Sequence, residues 1–321
     1  MSQLTPTTAA STNRPAGVGL AWRDVFTRAK PGIVQMVVIT GAVGFTLSLL
    51  ASAPPMGTFA IVLTAIGTLV GIAISAAGAN TLNQAIEHRR DARMRRTQAR
   101  PIPVGVISPS KAWTIGLAES VLGVLVLLIV AGLAPALVSA TIIVTYLAWY
   151  TPLKPRTTWS TLVGAFPGAL PPLIGWTAAQ GGAFSTLLSP SGWALVAIVF
   201  VWQMPHFLAI AWMYRHDYAD GGYKVLPVAD ASGVRTGVEA VMWAALLIPV
   251  SLAPAVWTGH VVGPVAVIAT VIAGLLFLAK AIRFLIARDD ASAKRLFFAS
   301  IIYLPVVLVA LVADALVLAL L

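Results

Sequence analysis

The segment TFAIVLTAIGTLVGIAISAAGANTLNQAIEHRRDARMRR, residues 58–96, decides the fold. Residues 58–79 are a nearly unbroken apolar run. A helix of roughly 20 such residues crosses a bilayer. The segment then turns polar at once, and Asn83, Glu87 and Asp91 follow at i, i+4 and i+8. Each step of four residues drifts by only about 40° around a helix, so the three line one face. An amide and two carboxylates in a row are hard oxygen donors suited to Mg²⁺. Arg89, Arg90, Arg93, Arg95, Arg96 and Arg100 crowd the same stretch and suit a phosphate. The plain alternative is an amphipathic helix at the membrane surface whose charges are merely solvated.

The rest of the 321-residue chain repeats the apolar theme. It is 59% hydrophobic and only 10% charged, against about 25% charged in an ordinary soluble domain. Its mean hydropathy is +0.90. This composition excludes a disordered chain, a nucleic-acid-binding domain and a soluble enzyme. It has no cysteine, so disulfides, thiolate metal sites and a cysteine nucleophile are excluded too. Nine bilayer-length runs can be read, at about 33–52, 58–79, 112–132, 134–150, 161–180, 193–213, 237–257, 261–280 and 297–319. With nine spans, all 21 Lys and Arg residues fall on one side or at its edges. The positive-inside rule makes that side, and the N-terminus, cytoplasmic. Residues 1–27 are expected to be a disordered cytoplasmic tail without a cleavable signal peptide, and 28–321 a transmembrane domain. Pro167, Pro171 and Pro172 are expected to break or kink the fifth span.

Two further inner loops carry chemistry. Asp217 and Asp220, i and i+3, follow span 6 as the first acidic row follows span 2. Four spans separate the rows, so they share an orientation. That predicts two parallel four-helix repeats with facing acids able to hold metal ions across a diphosphate. Tyr150, Lys154 and Arg156, and likewise Lys30 before span 1, can bind phosphate oxygens; the alternative is a Pro-broken basic loop placed by topology. His206 lies inside span 6, where an ionisable side chain is a functional candidate by default; an interhelical hydrogen bond is the alternative. His88 adjoins the first acidic row, Lys224 follows the second, and Glu119 lies two turns into span 3. Glu119 either faces the cavity or pairs with a neighbour.

Taken together these residues resemble the UbiA superfamily of intramembrane prenyltransferases. The match runs through Asn83-xxx-Glu87-xxx-Asp91, Tyr150-xxx-Lys154 and the second row at Asp217. Within the superfamily the chain is similar to the branch that farnesylates protohaem. The stretches that carry this are Met94, Arg96-Thr97 and Arg100-Pro101, then Tyr150 to Lys154, Gly164 to Trp176, Trp202 to Phe207, and Asp217-Tyr218 leading to Leu226-Pro227-Val228. It departs at Glu87, where the superfamily usually has Asp, at Gly221, where the second motif often has an acid, and at Gly32, where a basic residue is expected.

The resemblance implies an all-α bundle of about nine transmembrane helices. It implies farnesyl transfer from farnesyl diphosphate to a vinyl group of haem b, with Mg²⁺ on Asn83, Glu87, Asp91, Asp217 and Asp220. Lys30, His88, Arg95, Arg96, Arg100, Tyr150, Lys154, Arg156, His206, Asp220 and Lys224 would contact substrate. It places the protein in the plasma membrane of a bacterium, or the inner mitochondrial membrane of a eukaryote, upstream of haem A synthase or terminal-oxidase assembly factors. The rivals are another enzyme of the superfamily, acting on a quinone precursor or a chlorin, and a cation-coupled transporter. A transporter predicts acids near the bilayer midplane, whereas these cluster at one interface.

Overall fold

The structure, a computed structural model, describes residues 22–52, 56–257 and 262–320. Its elements in order are α1 (Trp22–Ala29), α2 (Pro31–Ala51), α3 (Thr58–Asp91), α4 (Pro109–Ala131) and α5 (Leu133–Val144). A π-helical stretch, Thr145–Tyr150, carries α5 into α6 (Thr151–Leu153). Then come α7 (Ser160–Ala169), α8 (Pro171–Ala179), a 3₁₀ segment (Phe184–Leu188), α9 (Pro190–Met213), α10 (Arg215–Asp220) and α11 (Leu226–Ala229). The last three are α12 (Val234–Trp257), α13 (Pro264–Ala287) and α14 (Asp290–Leu320).

Among the described residues, nine helical spans are long and apolar enough to cross a membrane. They fall on the nine runs expected. The fourth span is α5 through α6 and the fifth is α7 with α8. The fifth breaks at Leu170, directly before Pro171 and Pro172, which lack the N–H groups that would carry the helix's hydrogen bonds across the break. Pro167 stays inside α7. Residues 22–29 form helix α1, although the tail was expected to reach residue 27. Trp22, Val25, Phe26 and Ala29 recur at helical spacing, a signal short enough to overlook. Residues 1–21 and 258–261, with His260, lie outside the described residues.

Small residues set how closely the spans approach. Along α3 and α4, Gly71, Ser75 and Gly78 face Gly116, Ser120 and Gly123. A Cβ on Gly78 would press on the Ser120 backbone, and one on Gly123 on Ser75. Backbones that meet this closely gain dispersion contact in a solvent that supplies no hydrophobic drive between helices. The same holds where α2 crosses α8, since a Cβ on Gly175 would collide with the Gly41 carbonyl. We therefore expect Gly175→Ala to cost about 1–3 kcal/mol through overpacking, read as a lower Tm in detergent. Large apolar side chains such as Phe59, Ile129 and Leu276 point outward, as a lipid-facing surface requires.

Candidate active site

α3 does not stop where its apolar run ends. It continues to Asp91 and closes with Ala92 N donating to the His88 carbonyl, 3.1 Å. This continuation carries the acidic face into the protein: Asn83 is 0%, Glu87 6% and Asp91 1% exposed. Burial at that level demands a partner for each group, and each has one. The Lys154 ammonium donates to both Glu87 oxygens, 2.9 and 3.1 Å. Arg100 donates to Asp91 Oδ2 at 2.7 Å. Lys30 donates to Asn83 Oδ1 at 2.8 Å, and the Asn83 amide donates to Thr151 Oγ1 at 3.0 Å.

The π-helical stretch before α6 brings in the aromatic wall. Tyr146 and Tyr150 stack with ring centroids 5.5 Å apart. The Lys154 ammonium lies 4.6 Å from the Tyr150 ring centre and 5.5 Å from that of Tyr223. Lys224 N donates to the Lys154 carbonyl at 2.9 Å, which ties the two loops together. The result is a cavity of about 220 Å³ at the arginine-rich end of the bundle. Lys30, Arg96, Arg100 and Lys154 line it against only two carboxylates, Glu87 and Asp91. Its excess of positive charge favours an anionic guest.

Electrostatics separates the two lysines. Burial, with Arg100 and Lys154 adding repulsion, lowers the Lys30 pKa to about 7, against the pull of Glu87 and Asp91. Burial also works against the Lys154 ammonium, but Glu87 and the surrounding tyrosines outweigh it and hold its pKa well above the usual lysine value. Lys154 is therefore a fixed cation. The Tyr223 hydroxyl is buried within hydrogen-bonding reach of Glu87. Burial and the Glu87 charge raise its pKa, so it stays a neutral donor.

Not every expected residue reaches the cavity. Asp217 is half-buried and accepts from the Arg96 backbone N–H at 3.1 Å, and Asp220 is exposed. Arg95, Arg156 and Lys224 have exposed side chains away from the cavity lining. His88 Nδ1 sits 2.8 Å from the Ala85 carbonyl. His206 Nδ1 sits 2.7 Å from Ser300 Oγ, with the ring stacked between Trp202 and Phe297. Its neighbour Phe207 lines the cavity. Glu119 pairs with Arg28 at 2.7 Å. Thr97 and Tyr218, named in the sequence only within the matching stretches, line the cavity, and so do Tyr146, Tyr223 and Ser160, which the sequence did not single out. Tyr146 could have been found, because it lies four residues before Tyr150.

The donor chemistry fits a divalent cation. Among the described residues no group of three or more His, Cys, Asp or Glu forms a closed cage. Two buried carboxylates one turn apart, with an amide a further turn back, are nevertheless the oxygen set that a cation shared with substrate phosphates takes.

The UbiA prenyltransferase family model matches residues 37–302 of this chain. A relative from Opitutus terrae named protoheme IX farnesyltransferase is 40% identical over 91% of this chain and 95% of its own length. One of the same name from Salinibacter ruber is 40% identical over 91% and 98%. Among solved structures, one of digeranylgeranylglyceryl phosphate synthase superposes with TM-score 0.71 at 15% identity, covering 91% of this chain and 98% of that one. A UbiA homologue from Archaeoglobus fulgidus bound to GPP and Mg²⁺ gives TM-score 0.59 at 14% identity, covering 93% and 100%. At those identities the two structures speak to the fold.

Proposed function

The chain belongs to the UbiA prenyltransferase family, and from that premise we propose that it transfers a farnesyl group from farnesyl diphosphate to a vinyl group of haem b, with addition of water, giving haem O. The observation that carries this is the cavity, where four cationic side chains surround two buried carboxylates beside a tyrosine wall. The choice of haem as acceptor follows from the relatives' names.

Lys154, Arg100, Arg96 and Lys30 would take the diphosphate oxygens. Each of Lys154, Arg100 and Lys30 now holds a group on α3, which keeps charge compensated before substrate enters. A diphosphate gives those cations a second anionic partner and releases Asn83, Glu87 and Asp91 as ligands. Those three would hold Mg²⁺, which when bound neutralises charge on the departing diphosphate; Asp217 and Asp220 lie outside the cavity lining. The C1–O bond of the farnesyl group breaks and its electron pair leaves on the diphosphate, whose oxygens the cations stabilise. Tyr146 and Tyr150 would stabilise the allylic cation through their ring faces, a role supported by the Lys154 ammonium 4.6 Å from the Tyr150 ring centre. The haem vinyl π pair then forms the new C–C bond. Water captures the resulting cation and releases a proton to solvent. The apolar spans hold the farnesyl tail and keep water from the first cation.

The enzyme is a multi-pass integral membrane protein, and its bacterial relatives point to the plasma membrane. The charge asymmetry of the loops supports a cavity that opens to the cytoplasmic face. Haem O would pass to haem A synthase or terminal-oxidase assembly factors. Offering haem b and 4-hydroxybenzoate together with farnesyl diphosphate tests the acceptor. The expected product is farnesylated haem alone. A prenylated aromatic acid with untouched haem would keep prenyl transfer and remove haem.

A further inference from the structure

α1 lies outside the nine spans, yet its last turn is bound more heavily than any loop needs. The Arg28 side chain is 6% exposed. Its fork donates to both Glu119 oxygens, 2.7 Å each, and to Thr81 Oγ1 at 2.9 Å. The backbone is held as well. Gln84 Nε2 donates to the Arg28 carbonyl at 2.7 Å, and Asn80 Nδ2 to the Ala29 carbonyl at 3.0 Å. The next residue is Lys30, with φ 52° and ψ 69°, a left-handed conformation rare for a residue bearing a side chain. Such a backbone persists only where its surroundings over-determine it. Here they do, since Arg28 and Ala29 are clamped before it and Pro31 starts α2 after it. From that pose the Lys30 ammonium lines the cavity and donates to Asn83.

We propose that Arg28 and Glu119 are positioning residues for the reaction: their ion pair seats α1 on α3 and α4 and so holds the Lys30 ammonium where the diphosphate binds. This rests on the prenyl-transfer function above. An apolar contact would anchor a short helix without the desolvation that an ion pair within a span incurs. A bidentate fork adds a single permitted direction and register, which an ammonium delivered through a strained backbone requires. Asn80, Thr81 and Gln84 interleave with Asn83 and Glu87, so one stretch of α3 grips α1 on one face and lines the site on the next. Neither Arg28 nor Glu119 lines the cavity, so both act through Lys30.

The test is a double-mutant cycle on the full-length detergent-purified protein, with inorganic diphosphate in Mg²⁺ as the calorimetric probe and farnesyl diphosphate KM beside it. Glu119→Gln and Lys30→Met should each weaken diphosphate binding by roughly tenfold, the size of one charge-assisted contact. The double variant should be no weaker than Lys30→Met alone, because the two substitutions remove the same ammonium. Arg28→Lys keeps the charge and loses the fork; it should reproduce the pattern if Glu119→Gln folds poorly. Multiplying effects in the double variant, or wild-type diphosphate affinity in Glu119→Gln or Arg28→Lys, would overturn the positioning role alone. A wild-type protein that binds no diphosphate would overturn prenyl transfer and, with it, this role.

Discussion

Asp91→Asn lowers turnover by about 10²–10³-fold, the usual cost of removing one group that stabilises transition-state charge in a closed site, while the protein still folds. Asparagine has nearly the shape of aspartate, so the packing of a side chain only 1% exposed is kept. What goes is the charge. Arg100, the partner at 2.7 Å, is 21% exposed and can turn its guanidinium toward water. The stability loss is thereby limited, and the loss of a carboxylate ligand dominates. The Mg²⁺ concentration for half-maximal rate should rise in the same variant. Turnover within tenfold of wild type would mean that Asp91 serves Arg100 and no metal.

Lys154→Met has a larger effect on stability. The ammonium holds both oxygens of Glu87, whose side chain is 6% exposed, and lies between two tyrosine rings. Removing it leaves a buried carboxylate without compensation, at a cost of about 3–5 kcal/mol. Removing both partners is far cheaper, because no uncompensated group remains. Lys154→Met should therefore lower Tm sharply, and Lys154→Met with Glu87→Gln should regain most of it. Neither variant should turn over, since diphosphate loses its fixed cation in both. Recovered activity in the double variant would show that the pair is structural. Thermal unfolding followed beside a product assay separates the two outcomes.

The spans were legible because hydropathy over bilayer-length windows reports the solvent directly. The acidic face of α3 was legible because a helix repeats every 3.6 residues, so Asn83, Glu87 and Asp91 share a side once Asn80–Asp91 is helical. The pairing was not legible. Lys154 meets Glu87 across 67 residues of chain, and Arg28 meets Glu119 across 91; spacing says nothing about contacts made by folding. Nor could spacing show which side of α10 meets the cavity. Neighbouring residues on a helix differ by about 100°, and here Tyr218 turns inward while Asp217 is taken by the Arg96 backbone. Tyr223 enters from the loop beyond, where no period applies.

Prenyl transfer to haem is tested most directly by mass spectrometry of the product. Detergent-purified protein would be incubated with haem b, farnesyl diphosphate and Mg²⁺. The expected product is heavier than haem b by one farnesyl group plus a hydroxyl, and it disappears with EDTA and in Asn83→Ala. No haem product, under conditions where a known prenyltransferase turns over, would contradict the assignment.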